Sequence, residues 1–145
     1  MVFHKHIFTD AQKLKLVNAI GDAEEQTSGE IRVHTEPHCK GESLDRAVEV
    51  FKKLGMNKTD QRNGVLIYLA FKDKKFAIIG DKGINEVVPK DFWESTRNEM
   101  ASCFKQGKFM EGVEYGIREV GKHLEAYFPH LDGDKNELSN EISEG

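Results

Sequence analysis

Three acidic residues of this chain stand among glycines at the margins of apolar runs. Glu30 follows Gly29, Asp60 precedes Gly64 by four residues, and Asp81 lies between Gly80 and Gly83. Carboxylates suit a hard cation such as Ca²⁺, which gathers roughly six to eight oxygens from carboxylates, amides, backbone carbonyls and water. Neighbouring glycines let carbonyl oxygens turn toward such an ion. Arg62, Asn63 and Lys82 are interleaved with these acids in the same two loops.

A second constellation, His34, Glu36, His38, Cys39 and Glu42, competes with the first. It falls where a strand ends, the usual ligand side of open α/β sheets. A transition metal could use His34, His38 and Cys39, but histidines four apart on an extended segment are not brought together as they are on a helix. The row Glu30, Arg32, His34, Glu36 reads more simply as the outward face of a strand near the sheet margin. The nucleophile elbow, the phosphate loop, the His-Glu-x-x-His zinc motif and the dinucleotide glycine fingerprint are all missing from the sequence. Asp132 to Glu137 starts like a calcium loop, but Glu137 stands where the turn glycine belongs and Ser143 where the bidentate glutamate belongs, so an EF-hand is rejected.

The elements that must position these residues follow from hydrophobic periodicity. Thr9 and Gln12 form a capping-box pattern before Leu14, Val17 and Ile20, which predicts a helix from about Asp10 to Gln26. Alternation over Glu30 to Thr35 predicts a strand, and Leu44, Val48, Phe51 and Leu54 mark a second helix ending near Gly55. Gly64 to Phe71 is apolar throughout and predicts a central strand covered on both faces. A hairpin at Lys72 to Lys74 returns the chain through Lys75 to Gly80. A short extra strand near Glu86 to Val88 is a further option.

Pro89 suits a helix start before the stripe Phe92, Trp93, Thr96, Met100 and Phe104, and Phe109 to Tyr127 predicts the last helix. Gly112 and Gly116, one turn apart, read as a packing motif. A parallel first pair and an antiparallel third strand carry Glu30, Asp60 and Asp81 to one sheet edge. The fold class is therefore α/β, a three-layer α/β/α sandwich on a small mixed twisted sheet of three to four strands, with helices on both faces.

The chain has 145 residues, the size of one domain, assigned to residues 1–128 with an acidic tail at 129–145. That tail holds five acids and one base, which is the whole net charge of −4. The neutral body argues against nucleic acid, since duplex binding draws on a strong basic excess. Cys39 and Cys103 match no zinc or thioredoxin spacing and read as free thiols of a reducing compartment. No segment resembles an export signal or a membrane span, so a cytoplasmic, monomeric, soluble domain is expected. The tail reads as flexible, with docking through Leu138 and Ile142 as the alternative.

With these elements placed, the sequence resembles the TPM domain family. The resemblance is carried by Phe8, then Thr27-Ser28-Gly29-Glu30-Ile31-Arg32-Val33, Phe51, and Arg62-Asn63-Gly64-Val65-Leu66-Ile67. It continues through Ile79-Gly80-Asp81-Lys82-Gly83-Ile84, Trp93, Phe104-Lys105-Gln106-Gly107-Lys108-Phe109 and Gly112. It implies a twisted sheet between pairs of helices, and relatives that include acid phosphatases, calcium binders and accessory modules. Two expectations result. The first is a calcium-binding module that uses Glu30, Asp60 and Asp81 as ligands, with Arg62, Asn63 and Lys82 meeting a protein partner or phosphorylated ligand. The second is a metal-assisted phosphomonoester hydrolase working at the same edge.

Overall fold

The computed structural model describes residues 6–131 and 137–145. The stretch Asp132 to Asn136, which opens the rejected calcium loop, lies outside the described residues. Helix α1 (Asp10–Glu24) begins with the expected capping box, in which the Thr9 hydroxyl accepts from the Gln12 amide and the Gln12 side chain accepts from Thr9. It leads to strand β1 (Glu30–Glu36), helix α2 (Ser43–Lys53) and a 3₁₀ turn (Met56–Lys58). Strands β2 (Gly64–Ala70) and β3 (Lys75–Gly80) follow, then the short helix α3 (Lys82–Asn85). Helices α4 (Glu94–Lys105) and α5 (Phe109–Glu125) and a two-residue strand β4 (Ser143–Glu144) complete the order.

The sheet order is β3-β2-β1-β4. β1 lies parallel to β2, with Glu30 opposite Gly64 and Glu36 opposite Ala70, and β3 returns antiparallel with Val65 opposite Gly80. All seven residues of β2 are buried, as a strand covered on both faces requires. Its alternation divides the core. Val65, Ile67 and Leu69 join residues of α1, α4 and α5 in one cluster, while Leu66, Tyr68 and Ala70 join Ala47, Val50 and Phe51 of α2 in the other. The molecule is thus an α/β sandwich with three long helices on one face and one on the other, not two pairs. No helix among the described residues is long and apolar enough to cross a membrane.

Several local expectations change. The chain after Gly83 continues from α3 into turns, so no strand forms near Glu86 to Val88. The helix foreseen from Pro89 starts at Glu94, because residues 90–93 form turns in which the Phe92 amide bonds the Pro89 carbonyl. The tail expected to be flexible docks instead: β4 pairs parallel with β1, placing Ser143 opposite His34 and Glu144 opposite Thr35.

The glycines of α5 do serve close packing. A Cβ on Gly112 would stand 2.5 Å from Cε1 of Phe104, and one on Gly116 would stand 2.7 Å from Sδ of Met100. Both positions let α4 approach the backbone of α5, which offsets the helix propensity lost at each glycine. Gly116→Ala should therefore destabilise the fold by about 1–3 kcal/mol through overpacking, read as a lowered denaturant midpoint with an unchanged slope.

Helix α1 is tied to the sheet by Glu24, whose carboxylate accepts from the Ile31 amide at 3.0 Å. The Glu24 carboxyl is raised from an ordinary 4.5 to about 7, chiefly by burial and also by the neighbouring Glu30, with hydrogen bonds from Ile31 and Asn140 opposing the rise. The folded chain then holds a proton that the unfolded chain has lost between about 4.5 and 7. Stability should fall as pH rises through that window, by up to about 3 kcal/mol. Denaturant titrations across it should show this slope in the wild type and a flattened one in Glu24→Gln.

Candidate functional site

The register of the sheet sets the site. Glu30 faces Gly64 on β1, and the Asp81 amide donates to the Gly64 carbonyl at 2.9 Å, so Glu30 and Asp81 flank Gly64 on the α2 face of the sheet. Two strand spacings put them about 10 Å apart. The space between them is filled: a Cβ on Gly64 would lie 3.2 Å from the Met56 carbonyl oxygen and 3.7 Å from Cζ of Phe51.

Each carboxylate is also engaged. Glu30, only 3% exposed, accepts the Glu137 amide at 2.5 Å and the Leu138 amide at 2.6 Å. Burial pushes its carboxyl upward, and these two amides oppose the rise. Asp81 is buried and takes a two-point ion pair from Arg62, Nε at 2.8 Å and Nη2 at 2.9 Å, while it caps α3 through the Lys82 amide at 2.7 Å. Asp60 is exposed, and its amide donates to the Glu137 carboxylate at 3.2 Å. The donors are the all-oxygen kind a hard cation takes, but in this arrangement the three do not share one ion. Among the described residues no group of three His, Cys, Asp or Glu side chains is placed to hold a metal.

The two rim loops are locked together. Gly83 packs against the backbone of the Asp60 to Asn63 loop, where a Cβ would fall 2.1 Å from the Gln61 carbonyl oxygen, and its amide donates to the Arg62 carbonyl at 2.9 Å. Arg62 adopts a left-handed φ of 51°, unusual for a side-chain-bearing residue. That conformation goes with a guanidinium laid across Asp81. Asn63 turns inward, its side-chain amide donating to the Ser28 carbonyl and its backbone carbonyl accepting from the Glu30 amide. Arg62 and Lys82 are the members of the predicted anion-contact set that reach solvent, with side chains 43% and 70% exposed.

They do so at the mouth of a groove that sequence reasoning missed. A cavity of about 600 Å³ runs from Arg62, Asp81 and Lys82 along α2, with Leu44, Val48, Phe51 and Ile79 among its lining residues. Leu44 and Val48 are 56% and 40% exposed although they belong to the apolar stripe that predicted α2. The signal in the sequence was the width of that stripe: Ala47, Val50 and Phe51 suffice to cover the sheet.

The competing edge forms a closed polar network. Glu36 accepts from Arg46 Nε at 2.8 Å and Nη2 at 2.9 Å and from the Tyr68 hydroxyl at 2.5 Å, and it lies 3.0 Å from His34 Nε2. Burial alone would raise the Glu36 carboxyl, but the hydrogen bonds of Arg46, Tyr68 and His34 together outweigh it and hold the group at about 2. His34 is lowered by burial and stacks on Tyr68. His38 turns away to Asp73, and the Cys39 thiol points toward the carbonyls of Lys40 and Gly41, so the three residues considered for a transition metal do not converge. The row Glu30, His34, Glu36 is buried, which corrects its reading as an outward face.

The TPM domain family profile matches residues 1–123. Among solved structures, the NMR structure of BA42 from the psychrophilic bacterium Bizionia argentinensis is 48% identical, covers all of both chains and superposes with a TM-score of 0.92. The N-terminal domain of a protein from P. gingivalis is 18% identical over 88% of this chain and 84% of its own, with a TM-score of 0.68. The N-terminal domain of cg2496 from Corynebacterium glutamicum is 12% identical over 96% of this chain and 82% of its own, with a TM-score of 0.64. The last two share the fold alone. A search of the curated proteins finds no match. With nearly all of the body matched, from the first helix through most of α5, the chain belongs to the TPM domain family.

Proposed function

We propose that the chain is a binding module whose ligand seat is the groove between α2 and the rim, and that it receives a protein partner presenting an anionic group beside an apolar side chain. The observation that carries this reading is the juxtaposition of half-buried Arg62 and exposed Lys82 with exposed Leu44 and Val48 around one cavity. Cations at the rim meet the anion, and the apolar floor supplies burial. Asp81 itself favours binding over hydrolysis, because its oxygens are spent on Arg62 and the Lys82 amide and it is not a free base or nucleophile.

Calcium is the ion we propose for the same rim, on the strength of its oxygen donors. Since Glu30 and Asp81 are committed to the tail and to Arg62, an ion at either must compete with those contacts. Calcium chloride titration followed by amide NMR should then shift Asp60 and Asp81 together with Arg62 or with Glu137 and Leu138. The acetylated dipeptide phosphoserine-leucine, with inorganic phosphate as control, should perturb Arg62, Lys82 and Val48. Lys82→Glu and Leu44→Ala should each weaken that binding at least about threefold, the loss of a rim charge or of a few buried methyls. Silence toward both probes would reject the module. Turnover of p-nitrophenyl phosphate that disappears in Lys82→Ala would replace it with the hydrolase.

A further inference from the structure

The outer edge of β1 is dressed by a segment that lies beyond the matched family body. Residues 137–145 run along it, yet none of the nine is buried, and strand pairing is limited to Ser143 and Glu144. The buried groups are on the receiving side. Glu30, His34 and Glu36 are each nearly inaccessible, and Glu30 takes its two amide donors from this segment.

The contacts define what the edge recognises. Leu138 packs toward the α2 cluster and Ile142, four residues on, toward the opposite cluster. Arg32 Nη2 donates to the Glu141 carbonyl at 3.3 Å, and Ser143 Oγ lies 2.9 Å from His34 Nδ1. Glu144 meets Lys13 at 3.0 Å and also pairs with His6, and the Gly145 amide donates to the Thr35 carbonyl at 2.9 Å. Arg32 Nε, buried against the same segment, has no partner among the described residues and is a spare donor.

We propose that this edge is a second binding site, a strand-accepting groove for an extended acidic peptide, and that residues 137–145 are its resident occupant. The peptide it fits carries an apolar residue, a second apolar residue four positions later, then a hydroxyl and a carboxylate. An open edge strand is a ready template for such addition, with main-chain bonds supplying affinity and flanking pockets supplying specificity. The resident holds the site by proximity, since a short tether gives an effective concentration in the millimolar range, and a foreign strand enters as the resident leaves.

The test uses the full chain and a fluorescent peptide with the sequence of residues 137–145. Glu144→Lys, and separately Ile142→Asp, should free the segment, seen as loss of protection at its amides with the sheet spectrum retained. Either variant should then bind the peptide at least about tenfold more tightly than the wild type, where the tethered segment competes. A peptide carrying lysine in place of Glu144 should bind the Ile142→Asp chain more weakly than the unmodified peptide does, and regain affinity when Lys13→Glu is added to that chain. Release of the segment without peptide binding overturns the proposal, as does a segment that stays docked in both variants. A wild-type chain that exchanges the segment only with a second copy, as a dimer blind to free peptide, overturns it too.

Discussion

A row of polar side chains lies on the α2-side face of β1, the strand between β2 and β4, and most of the molecule's unusual features answer to it. Glu30, Arg32, His34 and Glu36 share that face of β1, and three of the four are almost fully buried. Buried charge is costly unless it is paired and hydrogen-bonded. Each member accordingly has a partner brought from elsewhere in the chain. Glu36 has Arg46 from α2 and Tyr68 from β2, His34 has Ser143, and Glu30 has the amides of Glu137 and Leu138. The tail is thus part of the fold's polar accounting, supplying partners to Glu30, Arg32 and His34.

The same constraint shapes the candidate site. With Glu30 turned to the tail and Met56 lying over Gly64, the rim divides into a tail-facing half and a groove-facing half. In the second half, a buried carboxylate fixes Arg62 and caps the start of α3, while Gly83 admits the neighbouring loop at backbone distance. Of the two cations that reach solvent, Arg62 is therefore held by an interior contact, while the Lys82 side chain stands free of the core beside Glu86.

Much of the frame was legible in the sequence because it rests on periodicity. Both parallel strands, the hairpin and the three longest helices follow from apolar spacing, and the glycines of α5 follow from their one-turn separation. The shared edge of Glu30 and Asp81 was legible from strand direction alone. What sits between them was not: neither Met56 nor Phe51 carries a local signal that it covers Gly64. Alternation told which residues of β1 share a face, but it could not tell that a polar face is buried when its cover comes from about a hundred residues away in sequence. The docked segment, Glu-Leu-Ser-Asn-Glu-Ile-Ser-Glu-Gly, has the composition of a solvated tail, and its order comes from the groups it satisfies. The delayed start of α4 has a similar origin, since Trp93 and Phe92 are used for packing in a turn before the helix begins.

Amide hydrogen exchange at Glu137 and Leu138 tests the central claim most directly. If the buried Glu30 carboxylate holds the tail, both amides exchange far more slowly than in an unstructured peptide, and Glu30→Gln accelerates them while the amides of β2 stay protected. Exchange at the free-peptide rate in the wild type, or protection indifferent to that substitution, would contradict it.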